Sequence, residues 1–156
     1  MLTIESKIMI LRRLGNKSKI ASKIQGCFPK HSIFIEPFFG AGGMFFNKPK
    51  VKHNFLNDLD SDVFNLFQVV SDKNKEFMEM FENMPVHNDL FKYWMDNQET
   101  EPVKKAIRFL FLSNFSLYGK MDTLRLGCVN PKKQFYENID ATVNYIKGVQ
   151  FTNCDF

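Results

Sequence analysis

The sequence predicts an α/β fold, an open parallel sheet whose chain is interrupted by a helical insertion. Three observations predict it. Residues 32–70 follow the order strand, glycine turn, helix, strand, helix, the order that builds parallel sheets. From about residue 72 to 130 the spacing becomes helical and then loop-like. VQFTN (149–153) then returns to a short strand pattern.

Each element has its own signal. In SKIMILRRL (6–14), Ile8, Leu11 and Leu14 fall on one side and predict a first helix, which Gly15 interrupts. Lys17, Ser18 and Lys19 lead into a second helix through about Gln25, ended by Gly26 and Pro29. SIFIE (32–36) is short, β-branched and aromatic, a buried strand. A glycine turn follows, and GMFFN begins a helix. HNFLN (53–57) is a second apolar strand. In DLDSDVFNLFQVVSD (58–72), Val63, Phe64, Phe67 and Val70 recur at helical spacing behind Asp and Ser at the N-cap. Helices are expected over 73–83, 87–97 and 102–117, the last with Pro102 in its first turn and a very apolar, buried stretch AIRFLFLSNF. Residues 116–135 read as a loop with cations Lys120, Arg125, Lys132 and Lys133, and Arg108 just upstream. Residues 136–147 read as helix, and the expected sheet has about three strands with an exposed edge.

Composition narrows the class. The chain has 156 residues, 44% hydrophobic and 24% charged, which suits one globular domain. No apolar run is long enough to span a membrane, and the start lacks the pattern of a secretory signal. Cys27, Cys128 and Cys154 are far apart, which fits a reducing cytoplasm and suggests neither a disulfide framework nor a zinc site. His31, His53 and His87 are equally scattered. The net charge of +4 is compatible with a polyanionic partner but too mild to argue for one. The 18 phenylalanines fall largely in apolar runs and are expected in the core.

The chemistry concentrates in IFIEPFFGAGG (33–43). A glycine turn after a strand lets backbone approach a ligand, and ligands of open α/β sheets lie beyond the carboxyl ends of the strands. The second strand ends at Asn57 and Asp58, and an acid there can take both hydroxyls of a ribose. Asp58 can equally serve only as a helix N-cap. The turn is GAGG rather than GxGxxG, and Glu36 ahead of it would repel a pyrophosphate. The electrostatics favour a cationic adenosyl donor, S-adenosylmethionine, over NAD or ATP.

The set LGNKSKI (14–20), FIEPFFGAGGMFFN (34–47), FLNDLDSDVFNLF (55–67) and FTNCDF (151–156) resembles the Dam-type N6-adenine DNA methyltransferases. The resemblance spans nearly the whole chain. It implies a Rossmann-like methyltransferase core with an incomplete parallel sheet (residues 1–71 and 136–156) and a helical target-recognition insertion (72–135). It further implies a cytoplasmic enzyme of DNA methylation and restriction–modification that binds S-adenosylmethionine. Lys17 matches the lysine of the N-terminal motif. Arg13 stands where many members carry an aromatic residue, and Asn16 replaces the second glycine. Glu36 and the backbone of Phe39, Gly40, Ala41, Gly42 and Gly43 match the cradle of the methionine moiety. Asp58 matches the ribose acid, and Asp155 and Phe156 the pair beside the adenine ring. Lys17 also reads as a solvated cation, and the final pair as a frayed end. Lys120, Arg125, Lys132 and Lys133 are the expected DNA contacts, with double-stranded DNA as partner and Arg125 first among them. The family's Asn-Gly pair stands here as Tyr118 and Gly119.

The family's Asp-Pro-Pro-Tyr motif is absent, and no two prolines are adjacent. No catalytic residue is therefore assigned. The chain is expected to be a truncated or split methyltransferase, completed by a second polypeptide or self-associating. The alternative is an inactive DNA-binding or structural remnant of that fold.

Overall fold

The computed structural model describes residues 8–125, 127 and 130–155. Among them three strands form one parallel sheet in the order β1-β2-β3: β1 (Ile33–Glu36), β2 (His53–Asn57) and β3 (Gln150–Thr152). Ile33 stands opposite His53 and Glu36 opposite Leu56, while Phe55 pairs with Gln150 and Asn57 with Thr152. The register brings Glu36 and Asn57 to the same carboxyl end. There Asn57 fastens the strands together, because its Nδ2 donates to Pro37 O (3.2 Å) and Cys154 O (3.0 Å).

Six α-helices lie among the described residues: α1 (Ala21–Gln25), α2 (Ser61–Asp72), α3 (Asn74–Asn83), α4 (Asn88–Asp96), α5 (Pro102–Asn114) and α6 (Pro131–Ile146). Their starts follow from local chemistry. The Asp60 carboxylate accepts from Asp62 N (2.9 Å) and caps α2. Glu101 accepts from Val103 N and Lys104 N to cap α5, behind Pro102. Asn130 caps α6, again with proline in first position.

Twelve of the 18 phenylalanines are buried, as the apolar runs foretold. Phe39 meets Phe45, Phe46, Phe67 and Phe151 beneath the sheet. α5 is the central helix and packs on α2, α3 and α4. Each fully buried ring contributes about 1.5–3 kcal/mol against exposure.

Three expected elements differ. Residues 9–13 are not helical, because side chains of two later helices take their backbone groups. Arg12 N donates to Asn114 Oδ1 (2.7 Å), Asn114 Nδ2 to Ile10 O (2.7 Å), and Asn138 Nδ2 to Met9 O (3.0 Å). The adjacent Ile10 and Leu11 are both buried and Leu14 is exposed, so the one-sided stripe does not exist. GMFFN forms only a single 3₁₀ turn, Phe45–Asn47, cut short before Pro49. α6 begins at Pro131 rather than 136, since Asn130 and Pro131 are its start signal rather than loop.

Candidate donor pocket and basic loop

A cavity of about 550 Å³ opens at the carboxyl end of β1. Of the residues singled out by sequence, Arg13, Lys17, Glu36, Phe39, Gly40, Ala41, Gly43 and Asp58 line it. Gly42 and Asp155 do not. Phe156 lies outside the described residues.

The glycine bend is shaped by its own backbone. Gly40 has φ +56°, where nothing lies within 4 Å of a would-be Cβ, so the chain can face a ligand bare. Gly43 is different: a Cβ there would fall 1.8 Å from Asn16 Oδ1 and 2.9 Å from both Lys17 N and Ser18 N. The absence of a side chain at 43 therefore lets the 15–18 segment close against the bend. Asn16 Oδ1 is itself held by Ser18 N (3.0 Å) and Ser18 Oγ (2.7 Å). Gly42 turns away and packs on the Phe46 ring. The ring of Phe39 belongs to the core, and its N–H donates to Asn57 O (2.9 Å), joining the bend to β2.

Two acids face this bend. Glu36 Oε2 accepts from Phe45 N (3.1 Å). Burial pushes its pKa up to about 8, against the opposing pull of the Phe45 N–H and Lys48, and nearby Asp58 pushes the same way as burial. Asp58 Oδ2 accepts from Gly40 N (2.6 Å) and Oδ1 from Asp60 N (3.0 Å). Asp58 therefore braces the bend, and the cap of α2 is Asp60 instead. Each Asp58 oxygen keeps a further acceptor site.

The cations are divided in their commitments. Lys17 Nζ donates to Gly15 O (2.7 Å), and Arg13 pairs with Asp60 at 2.7 Å. In the loop, Lys120 and Arg125 are exposed, and Lys133 is exposed beside Glu137 at 4.0 Å. Lys132 donates to Glu82 O (3.0 Å) and Met84 O (2.6 Å), closing the end of α3. Arg108, grouped with the loop cations by sequence, is buried, and its Nε donates to Trp94 O (2.8 Å) and Asn97 O (2.7 Å). The loop packs on the pocket segment, because a Cβ on Gly119 would come 3.1 Å from Arg12 O.

The family model of the D12 class N6 adenine-specific DNA methyltransferases matches residues 14–151. The chain belongs to this family. The DNA adenine methylase of Haemophilus influenzae is 32% identical to this D12-class chain over 117 residues, 70% of the chain and 41% of that protein. That of Salmonella typhi is 29% identical over 117 residues, with the same coverage of 70% and 41%. A type II methyltransferase of Lactococcus lactis subsp. cremoris is 27% identical over 131 residues, 78% of the chain and 43% of that protein. The chain thus spans well under half the length of these relatives.

Sequence reading of this D12-class chain missed five lining residues: Leu14, Gly15, Asn16, Phe38 and Met44. All lie inside the quoted stretches 14–20 and 34–47, and that membership was the available signal. It also missed Lys48, which is 6% exposed and has Nζ 4.4 Å from the Phe34 ring centroid. A lysine between asparagine and proline carries no signal of burial. Arg12 was missed too: partial burial lowers its pKa, and so does the charge of Arg125.

Proposed function

We propose that this chain is the donor-side portion of a Dam-type methyltransferase that transfers a methyl group from S-adenosylmethionine to adenine N6 in duplex DNA. The observation that carries the reading is the meeting of Glu36, Asp58 and the Gly40–Gly43 bend around one cavity at the carboxyl end of a parallel sheet. The fit rests on charge and bareness. Two carboxylates suit a cationic, ribose-bearing ligand, and Gly40 offers backbone with open space around it.

When bound, S-adenosylmethionine supplies an electrophilic methyl group on a sulfonium. The chain's own residues hold and orient it. Glu36 gives a carboxylate to the donor's positive end, and Asp58 accepts from the ribose hydroxyls through its remaining acceptor sites. Lys17 and Asn16, packed against the bend at Gly43, line the pocket beside it. On this reading residues 1–71 and 136–156 are a Rossmann-like core, and 72–135 form the recognition insertion. Lys120, Arg125 and Lys133 face DNA, whereas Lys132 is spent on α3. The adenine must leave the duplex to be methylated, and the residues that receive it are not among those of this donor side. No helix among the described residues is long and apolar enough to cross a membrane.

Calorimetry with S-adenosylmethionine on the chain and on Asp58→Ala tests the reading. Binding that weakens in the variant supports it. No binding to the native chain would leave an inactive DNA-binding or structural remnant.

A further inference from the structure

Lys48 is a buried cation that does not line the donor pocket. It follows the 3₁₀ turn Phe45–Asn47, and only 6% of its surface is exposed. Its Nζ stands 4.4 Å from the centroid of the Phe34 ring and donates to Pro49 O (2.7 Å). One carbonyl and one ring face are little solvation for the three N–H donors of an ammonium. A cation so buried is costly unless a negative charge answers it. Glu36 is placed to do so. Strand alternation puts Phe34 and Glu36 on one face of β1, two residues apart. The N–H that Glu36 Oε2 accepts belongs to Phe45, and Phe45 O in turn accepts from Lys48 N (3.3 Å). The rings of Phe34 and Phe45 stack 6.3 Å apart. Tyr145 of α6 closes this compartment, its ring against Phe45 and its hydroxyl donating to Lys48 O. Glu36 thus has an open side toward the cavity and a cation on a side away from it.

We propose that Lys48 is a positioning residue for the donor site, a buried counter-charge that keeps Glu36 available as an anion to a cationic ligand. This rests on the reading above and deepens it. The other charged groups about Glu36 have commitments of their own. Asp58, at the end of β2, braces Gly40; Arg13 pairs with Asp60; Lys17 donates to Gly15 O. The charge of Lys48 pulls the Glu36 carboxyl down against burial, while Asp58 pushes it up. In return, burial lowers the pKa of the lysine and Glu36 draws it back up. Without Lys48 the acid would hold its proton further up the pH scale, and a cationic donor would have to displace that proton first. Lys48 does not reach the cavity, so it acts through Glu36.

The titration of Glu36, followed by NMR of its labelled side-chain carboxyl in the whole chain without donor, tests the proposal. Lys48→Met keeps the apolar stem and removes the charge. Lys48→Gln removes the charge but keeps a donor for Pro49 O, and Lys48→Arg keeps the charge. The Glu36 midpoint should rise in both neutral variants and return toward the native value in Lys48→Arg. Affinity for S-adenosylmethionine by calorimetry should fall about tenfold in Lys48→Met near neutral pH, as for a midpoint raised by about one pH unit. That gap should narrow as pH rises through the midpoints. A lysine with a merely structural role would change the melting temperature and leave the midpoint in place. An unmoved midpoint in the neutral variants, an equal rise in Lys48→Arg, or an affinity loss that is the same at every pH would each overturn the proposal. The two readings fail separately. A midpoint that moves in a chain that binds no donor overturns the donor pocket alone, and donor binding with an unmoved midpoint overturns the role of Lys48 alone.

Discussion

Glu36 is the residue at which folding and ligand chemistry pull in opposite directions. Its carboxyl is pushed up to about 8 in the folded chain, against 4.5 for an ordinary glutamate. Between those limits the folded chain keeps a proton that the unfolded chain has released. Stability from this group is therefore present at low pH, falls as pH rises through the window, and levels off above it. Glu36→Gln should abolish that decline, so its melting temperature should exceed the native one at about pH 8 and converge with it at about pH 5. A cationic donor favours the ionised acid. Donor binding should thus release a proton, read from buffer-dependent calorimetric heats, and strengthen toward pH 8. Loss of a charge-assisted contact in Glu36→Gln should weaken the donor by about ten- to a hundredfold. Gly43→Ala tests the closure of the 15–18 segment. Its methyl group would collide with Asn16 Oδ1, costing about 1–3 kcal/mol in denaturant melts and lowering donor affinity.

At the scale of elements, two cations fix helix ends: Arg108, within the stretch expected to be buried, and Lys132, expected among the DNA contacts. Arg108 in α5 holds the carbonyls of Trp94 and Asn97 at the end of α4. Arg108→Ala should destabilise the chain by about 2–3 kcal/mol in urea unfolding, since it orphans buried acceptors. Lys132 does the same for α3 through Glu82 and Met84. The carbonyl contacts of Lys132 were not legible, because a cation near a loop looks the same in sequence whether it meets solvent or carbonyls. The helices themselves were legible: α3, α4 and α5 begin within one residue of expectation, and α2 begins at Ser61, behind the acid and serine read as its cap. The segment 9–13 was not legible, since Asn114 and Asn138, over a hundred residues away, satisfy its backbone.

For the whole molecule, the loop after α5 packs against the segment that leads into the candidate pocket. Gly119 packs on Arg12, and the residues that follow Arg12 line the cavity. Arg125 and Lys120 of this loop are exposed. If they neutralise phosphates, Arg125→Ala and Lys120→Ala should each lower the slope of log affinity against log salt by about 1, in fluorescence anisotropy with duplex DNA. Lys132→Ala should change melting instead and leave that slope alone.

The sequence by itself determined the α/β class, the three strands, most helices and the acid–glycine–acid set of the pocket. Each depends on local spacing or on residue types that only one backbone geometry tolerates. Only the tertiary structure decided which cations are free, why Asn16 and Gly43 need one another, and that Asp58 braces the bend rather than capping a helix. It also decided that Lys48 is buried beside Glu36. These depend on contacts between residues distant in the chain, which close only when the sheet and the central helix pack together.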